Sequence, residues 1–178
     1  VFYNMTKTYK KFFFDFDSTL IKCESLDLLG ERLGVGEQVS EMTKQSMNGE
    51  VPFSEVFTKK MDLMAPSREA VEVLSEDLKE LMVDGVQETI KVLQLLGKEV
   101  YVMSANFSQV AKAVVAELGI DANNIVANDI YFSEEGEYAG VSSDNLLCKD
   151  FGKRSMLREM KVNREEVVFV GDSVSDLE

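Results

Sequence analysis

The apolar positions of this chain change period along its length, and the changes divide it into elements. Phe12-Phe13-Phe14 is a continuous apolar run that stops at Asp15, and Val167-Val168-Phe169-Val170 is another that stops at Gly171-Asp172. Runs this short and unbroken predict buried strands. From about Ser25 to Val83 the apolar residues recur instead at spacings of three and four. Leu26, Leu29 and Leu33 share one helical face, as do Val39, Met42 and Met47. Phe53, Val56, Phe57 and Met61 mark a third helix, and Val71, Leu74, Leu78 and Leu81 a fourth. Gly34, Gly36, Asn48-Gly49, Pro52 and Pro66 punctuate them.

From Gly85 onward strands alternate with helices. Val86 to Leu96 reads as a helix closed by Gly97, Val100 to Met103 as a strand, Gln109 to Leu118 as a helix ended by Gly119, and Ile125 to Ala127 as a strand. Tyr131-Phe132 and Tyr138-Ala139 flank an acidic turn and predict a hairpin; Lys153 to Met160 predicts the helix before the Val167 strand. This alternation predicts an α/β fold with a Rossmann-like parallel sheet. The expected organisation is a core made of residues 1–20 and 85–178, with residues 21–84 a helical bundle inserted after the first strand. Met5 is read as the natural start, with residues 1–4 preceding it.

At 178 residues and 45% hydrophobic composition the chain can bury one substantial core. Its formal charge of −13 argues against nucleic acid as a partner, since little here could displace phosphate counterions. The same charge requires local cations at any phosphate site, and bulk repulsion fades beyond about 8 Å at physiological salt. The absence of histidine removes Ser-His and Cys-His nucleophile pairs and histidine zinc sites. Cys23 and Cys148 lie far apart and predict two reduced thiols in a cytoplasmic protein rather than a disulfide. No apolar run reaches the roughly 18 residues of a membrane span, so no membrane partner is expected.

The chemistry then falls to carboxylates, lysines and hydroxyls. In α/β proteins ligands bind outside the carboxyl ends of the strands, where Asp15, Asp17, Asp172 and Asp176 are delivered. Several carboxylates gathered there invite a hard cation such as Mg²⁺. An aspartate pair two residues apart at a strand end is also good turn chemistry, so the pair alone does not decide between site and turn.

The order of the remaining residues is more specific. Asp15-Phe16-Asp17-Ser18-Thr19, then Ser104 after an apolar strand, then Lys153, then Gly171-Asp172 with Asp176, resembles the four ordered motifs of the haloacid dehalogenase superfamily. Asp-Phe-Asp-Ser-Thr-Leu followed by Glu24, a helical insert and Ser-x-x-Phe is similar to its phosphoserine phosphatase group. The resemblance implies a phosphatase with a helical cap acting on a small phosphorylated metabolite, phosphoserine or a similar phosphorylated amine first. It implies Asp15 as nucleophile and Asp17 as general acid and base. Mg²⁺ would be held by Asp15, the main-chain carbonyl of Asp17 and Asp172, supported by Asp176. Ser104 and Lys153 would hold the phosphoryl group, with backbone N–H groups of Phe16, Asp17 and Ala105. Lys149 competes with Lys153, but Gly152-Lys153 opens a helical pattern as the superfamily places its lysine. The resemblance further implies Glu24 for a substrate amine, and Met47 and Phe53 for an apolar wall. Each has an ordinary explanation too: Ser104 as a helix cap, Glu24 as an acid at a helix start, Met47 and Phe53 as bundle core.

Four positions depart from that pattern. Lys60 stands where the group carries an arginine that grips the substrate carboxylate, and an ammonium lacks the two-pronged fork of a guanidinium. Ala105-Asn106 replaces a glycine pair beside the phosphate, so Asn106 is expected to reshape the pocket. Ser175 stands where an asparagine is usual. A chain ending at Glu178 is expected to leave a sheet edge bare, favouring a homodimer or low thermal stability. Two other functions use similar residues: a phospho-acceptor signalling domain, and an inactive binding module that keeps the metal.

Overall fold

The structure, a computed structural model, describes residues 9–142, 144–173 and 176. Its centre is β1 (Lys11–Phe14), which pairs in parallel with β2 (Glu99–Phe107) on one side and β6 (Val167–Val170) on the other. β3 (Ile125–Asn128) extends β2, giving the parallel order β3-β2-β1-β6. β4 (Ile130–Phe132) and β5 (Tyr138–Val141) form the expected antiparallel hairpin.

The continuous apolar run of β1 is explained by a sheet covered on both faces, whereas β6 lies at the sheet edge and Val170 is exposed. On one face Phe13 stacks on Tyr101 at 4.6 Å and on Phe169 at 6.2 Å. Leu147, Met156, Leu157 and Met160 close over them, so that face is covered by α7 (Gly152–Glu159) and the turn before it. On the other face Phe12, Phe14, Val100 and Val102 pack with Ile90 of α5 (Val86–Leu95) and Val110 and Val114 of α6 (Ser108–Val115).

Four helices separate β1 from α5: α1 (Ser25–Arg32), α2 (Gly36–Met47), α3 (Phe53–Met64) and α4 (Arg68–Glu80). The chain leaves and re-enters through a narrow neck. The Lys22 N–H donates to the Leu81 carbonyl at 2.8 Å and the Val83 N–H to the Leu20 carbonyl at 2.9 Å. Val39, Phe57, Met61, Leu74 and Leu78 point inward from these helices and join Phe16, Leu20 and Ile21 in one apolar cluster.

β2 is the one element that differs clearly from its expected span. It runs through Ser104-Ala105-Asn106 to Phe107, which pairs with Asn128, and the Asn128 amide donates to the Ala105 carbonyl at 2.7 Å. Cys23 and Cys148 are free. Among the described residues no helix is long and apolar enough to cross a membrane.

Candidate active site

The register of the sheet determines which residues meet. Phe14 lies level with Val102 of β2 and Val170 of β6, so the next residues of all three strands emerge at the same edge. There the Asp15 N–H still bonds to the Val170 carbonyl at 2.9 Å. Beyond it the backbone turns sharply: the Phe16 carbonyl accepts the N–H groups of Leu20 and Ile21, and Ser18 adopts φ 50°.

Asp15 is buried, and both of its oxygens are engaged. Oδ1 accepts the Phe16 N–H at 2.7 Å, and Oδ2 pairs with Lys153 Nζ at 2.7 Å. Lys153 reaches this point because Gly152 opens α7 against the Leu146 carbonyl, where a Cβ would not fit. Its ammonium also donates to Asp176 Oδ1 at 2.5 Å and sits 5.6 Å above the Phe169 ring. Burial pushes the Asp15 carboxyl up to about 6 against the pull of Lys153. Burial pulls Lys153 down, but the Asp15 and Asp176 carboxylates outweigh it and hold the ammonium above its ordinary value. Lys149 is exposed, so Lys153 is the lysine brought to Asp15.

Asp15, Asp172 and Asp176 each place a carboxylate oxygen within 4.8 Å of the others. Three hard oxygen donors at one crevice suit a divalent cation such as Mg²⁺. Asp176 Oδ2 accepts the Ser173 N–H at 3.0 Å, and this carboxylate packs so tightly on Gly171 that a Cβ there would overlap it.

Asp17 turns away from this cluster toward α1. Its Oδ1 accepts the Ser25 N–H at 2.8 Å, and burial pushes its carboxyl up to about 7. Ser104 is buried at the adjoining edge of β2, its Oγ accepting the Asn106 N–H at 3.0 Å. Asn106 is also buried, and its side chain bonds to Phe107 and Ser25. Glu24 accepts a hydrogen bond from the Ser18 hydroxyl at 2.7 Å, and burial raises its carboxyl, with Asp172 adding to the rise.

The residues expected further out are arranged less simply. Lys60 is buried and its ammonium is held by Asp27 Oδ1 at 3.2 Å and by the Thr43 hydroxyl. The cation expected to face a substrate carboxylate thus has partners inside the helical insert. Met47 is 62% exposed at the end of α2, and Phe53 stacks on Phe57 at 5.9 Å. Ala105 is half-buried, its carbonyl held by Asn128. Ser175 lies outside the described residues.

Sequence reasoning did not single out Ser25, Asp27, Thr43 or Asp150. Asp150 accepts the Ser54 N–H and hydroxyl of α3, both at 3.4 Å, linking the loop before α7 to the insert. Lys60 and Thr43 carried a signal: each sits at helical spacing from buried apolar residues, Phe57 and Met64 in one case and Val39 in the other, where a polar group demands a partner.

The family profile of haloacid dehalogenase-like hydrolases matches residues 9–178. A phosphoserine phosphatase of Bos taurus is 35% identical over 93% of this chain and 74% of its own length, and that of Homo sapiens 34% over the same shares. A phosphoserine phosphohydrolase-like protein of Francisella tularensis superposes with a TM-score of 0.84 at 27% identity, over 94% of this chain and 80% of that one. A phosphoserine phosphatase solved as a phospho-aspartyl intermediate analogue gives 0.80 at 29%, over 96% and 81%. The chain belongs to the haloacid dehalogenase-like hydrolases and is a phosphatase of their phosphoserine phosphatase-like group.

Proposed function

We propose that the chain hydrolyses a small phosphomonoester through an aspartyl phosphate formed on Asp15, with Mg²⁺ at the Asp15–Asp172–Asp176 cluster. Phosphoserine or a similar phosphorylated amine is the proposed substrate. The observation that carries this reading is the pinned carboxylate of Asp15, buried at the sheet edge between Lys153 and two further acids.

An Asp15 oxygen attacks phosphorus as the bond to the leaving alkoxide breaks, and Asp17 gives that oxygen its proton. Asp17 then takes a proton from a water that attacks the phosphoryl group, releasing phosphate and restoring Asp15. A carboxyl raised toward 7 suits a group that must both give and take a proton near neutrality. Lys153 offsets the charge that gathers on the phosphoryl oxygens, and the Ser104 hydroxyl can donate to one of them. Mg²⁺, held by Asp15, the Asp17 carbonyl and Asp172 with Asp176 in support, would neutralise the nucleophile and phosphoryl group together.

Residues 21–84 act in this reading as a cap over the crevice, supported by the neck at Lys22 and Val83 and by the Asp150–Ser54 contact. Glu24 meets the substrate ammonium, and Met47 and Phe53 contribute apolar surface. Because Asp27 and Thr43 engage Lys60, its grip on a substrate carboxylate is weak, and simple phosphorylated amines should compete well with phosphoserine.

The test is phosphate release from phosphoserine, other phosphoamino acids and phosphorylated amines. Asp15→Asn and chelation should each abolish it. Turnover that survives either change would refute the mechanism.

A further inference from the structure

Asn106 and Ser25 are fully buried polar residues that the reaction above does not use, yet they join two residues that it does. Asn106 Oδ1 accepts the Phe107 N–H at 2.6 Å, so the other end of its amide, which meets Ser25, is the NH₂. That NH₂ donates to Ser25 Oγ. With its oxygen occupied as an acceptor, the Ser25 hydroxyl has its own proton to give, and the carboxylate beside it is that of Asp17, whose Oδ1 is fixed by the Ser25 N–H at 2.8 Å. The Asn106 backbone N–H meanwhile donates to Ser104 Oγ at 3.0 Å, leaving the Ser104 proton free for a ligand. Asn106 therefore sits between the two, one group on each side.

We infer that Asn106 and Ser25 are positioning residues that lock one oxygen of Asp17 onto the start of α1, so that its other oxygen faces the leaving group. This rests on the role proposed for Asp17. A carboxyl free to rotate would present its proton at the right angle only part of the time. A chain of aligned donors removes that freedom, and each bond polarises the next. It also ties the start of the insert to the core strand β2, 81 residues away in sequence.

A slack proton donor hurts most when the leaving group is a poor one. The test compares kcat/KM for phosphoserine, whose alkoxide needs a proton, with that for p-nitrophenyl phosphate, whose phenolate does not. Ser25→Ala and Asn106→Ala should each lower the first about tenfold and the second less than about threefold, part of the 10²–10⁴ that general acid catalysis supplies. The double variant should fall no further than the worse single one, because the two act as a unit. Ser25→Thr, which keeps the hydroxyl, should stay within about twofold of the wild type. Equal losses on both esters, additive losses, or variants that keep full activity would overturn the inference while leaving the phosphatase reading intact. A wild type that releases phosphate from neither ester would overturn both.

Discussion

Replacing Lys153 with methionine keeps most of the side-chain volume and removes one charge, which isolates the electrostatic role of this residue. Its side chain is 11% exposed, and those of its partners Asp15 and Asp176 are 10% and 4% exposed. Removing one member of a buried ion pair costs about 3–5 kcal/mol, because the remaining carboxylates stay desolvated without a counter-charge. For a domain of this size each kcal/mol moves the melting temperature by about 2–4 °C, so Lys153→Met should lower it by roughly 6–20 °C in metal-free protein. The loss must depend on pH. Without the ammonium the buried Asp15 carboxyl, already raised by burial, holds its proton more tightly, so the variant is nearly rescued where Asp15 is protonated and penalised where it is not. Calorimetry in chelator should find a small deficit at pH 5 and the full one at pH 8. Mg²⁺ should then raise the melting temperature of the variant more than that of the wild type, and Lys153→Met with Asp15→Asn should recover much of the loss. A fall of less than about 3 °C at pH 8, or the same fall at both pH values, would show that the triad is not the buried charge cluster described above.

Two other outcomes follow from the same site. Burial raises the Asp17 carboxyl to about 7 in the folded chain, whereas it titrates near 4 when unfolded. Its contribution to stability is therefore complete below about 4 and lost as pH rises through about 7, so metal-free melting temperature should decline over that window, and Asp17→Asn should flatten the decline. Gly171→Ala places a methyl into the Asp176 carboxylate, and should weaken Mg²⁺ binding, read by titration calorimetry, by an order of magnitude or more while the fold survives.

What could be read from the sequence was what one element shows by itself. Phe12-Phe13-Phe14 and Val167-Val168-Phe169-Val170 announce strands as short unbroken apolar runs, the first covered on both faces and the second packed through Val167 and Phe169, and the four helices of the insert announce themselves by one apolar stripe each. The acids at the strand ends were legible for the same reason, since an apolar run that stops in a carboxylate marks a sheet edge. The continuation of β2 through Ser104-Ala105-Asn106 was not, because its cause is a pairing with Asn128 that no local pattern records. Ser25 meets Asn106, and Asp27 meets Lys60, only after helices and strands are set in register. A sequence can show that Lys60 needs a partner on a buried face, but not that Asp27 and Thr43 provide it.

The charges around Asp15 make the physical case for a divalent ion in the proposed reaction. As carboxylates Asp15, Asp172 and Asp176 contribute three negative charges, and Lys153 returns one. Lys60 adds nothing to this balance, being neutralised by Asp27. The cluster alone therefore holds two unbalanced negative charges, inside a protein that is itself anionic, and would turn away a phosphate monoester dianion. Screening removes the distant charges beyond about 8 Å but not these. A single divalent cation among the three carboxylates brings the cluster to neutrality, and only then does the pull of Lys153 on the incoming phosphoryl group go unopposed.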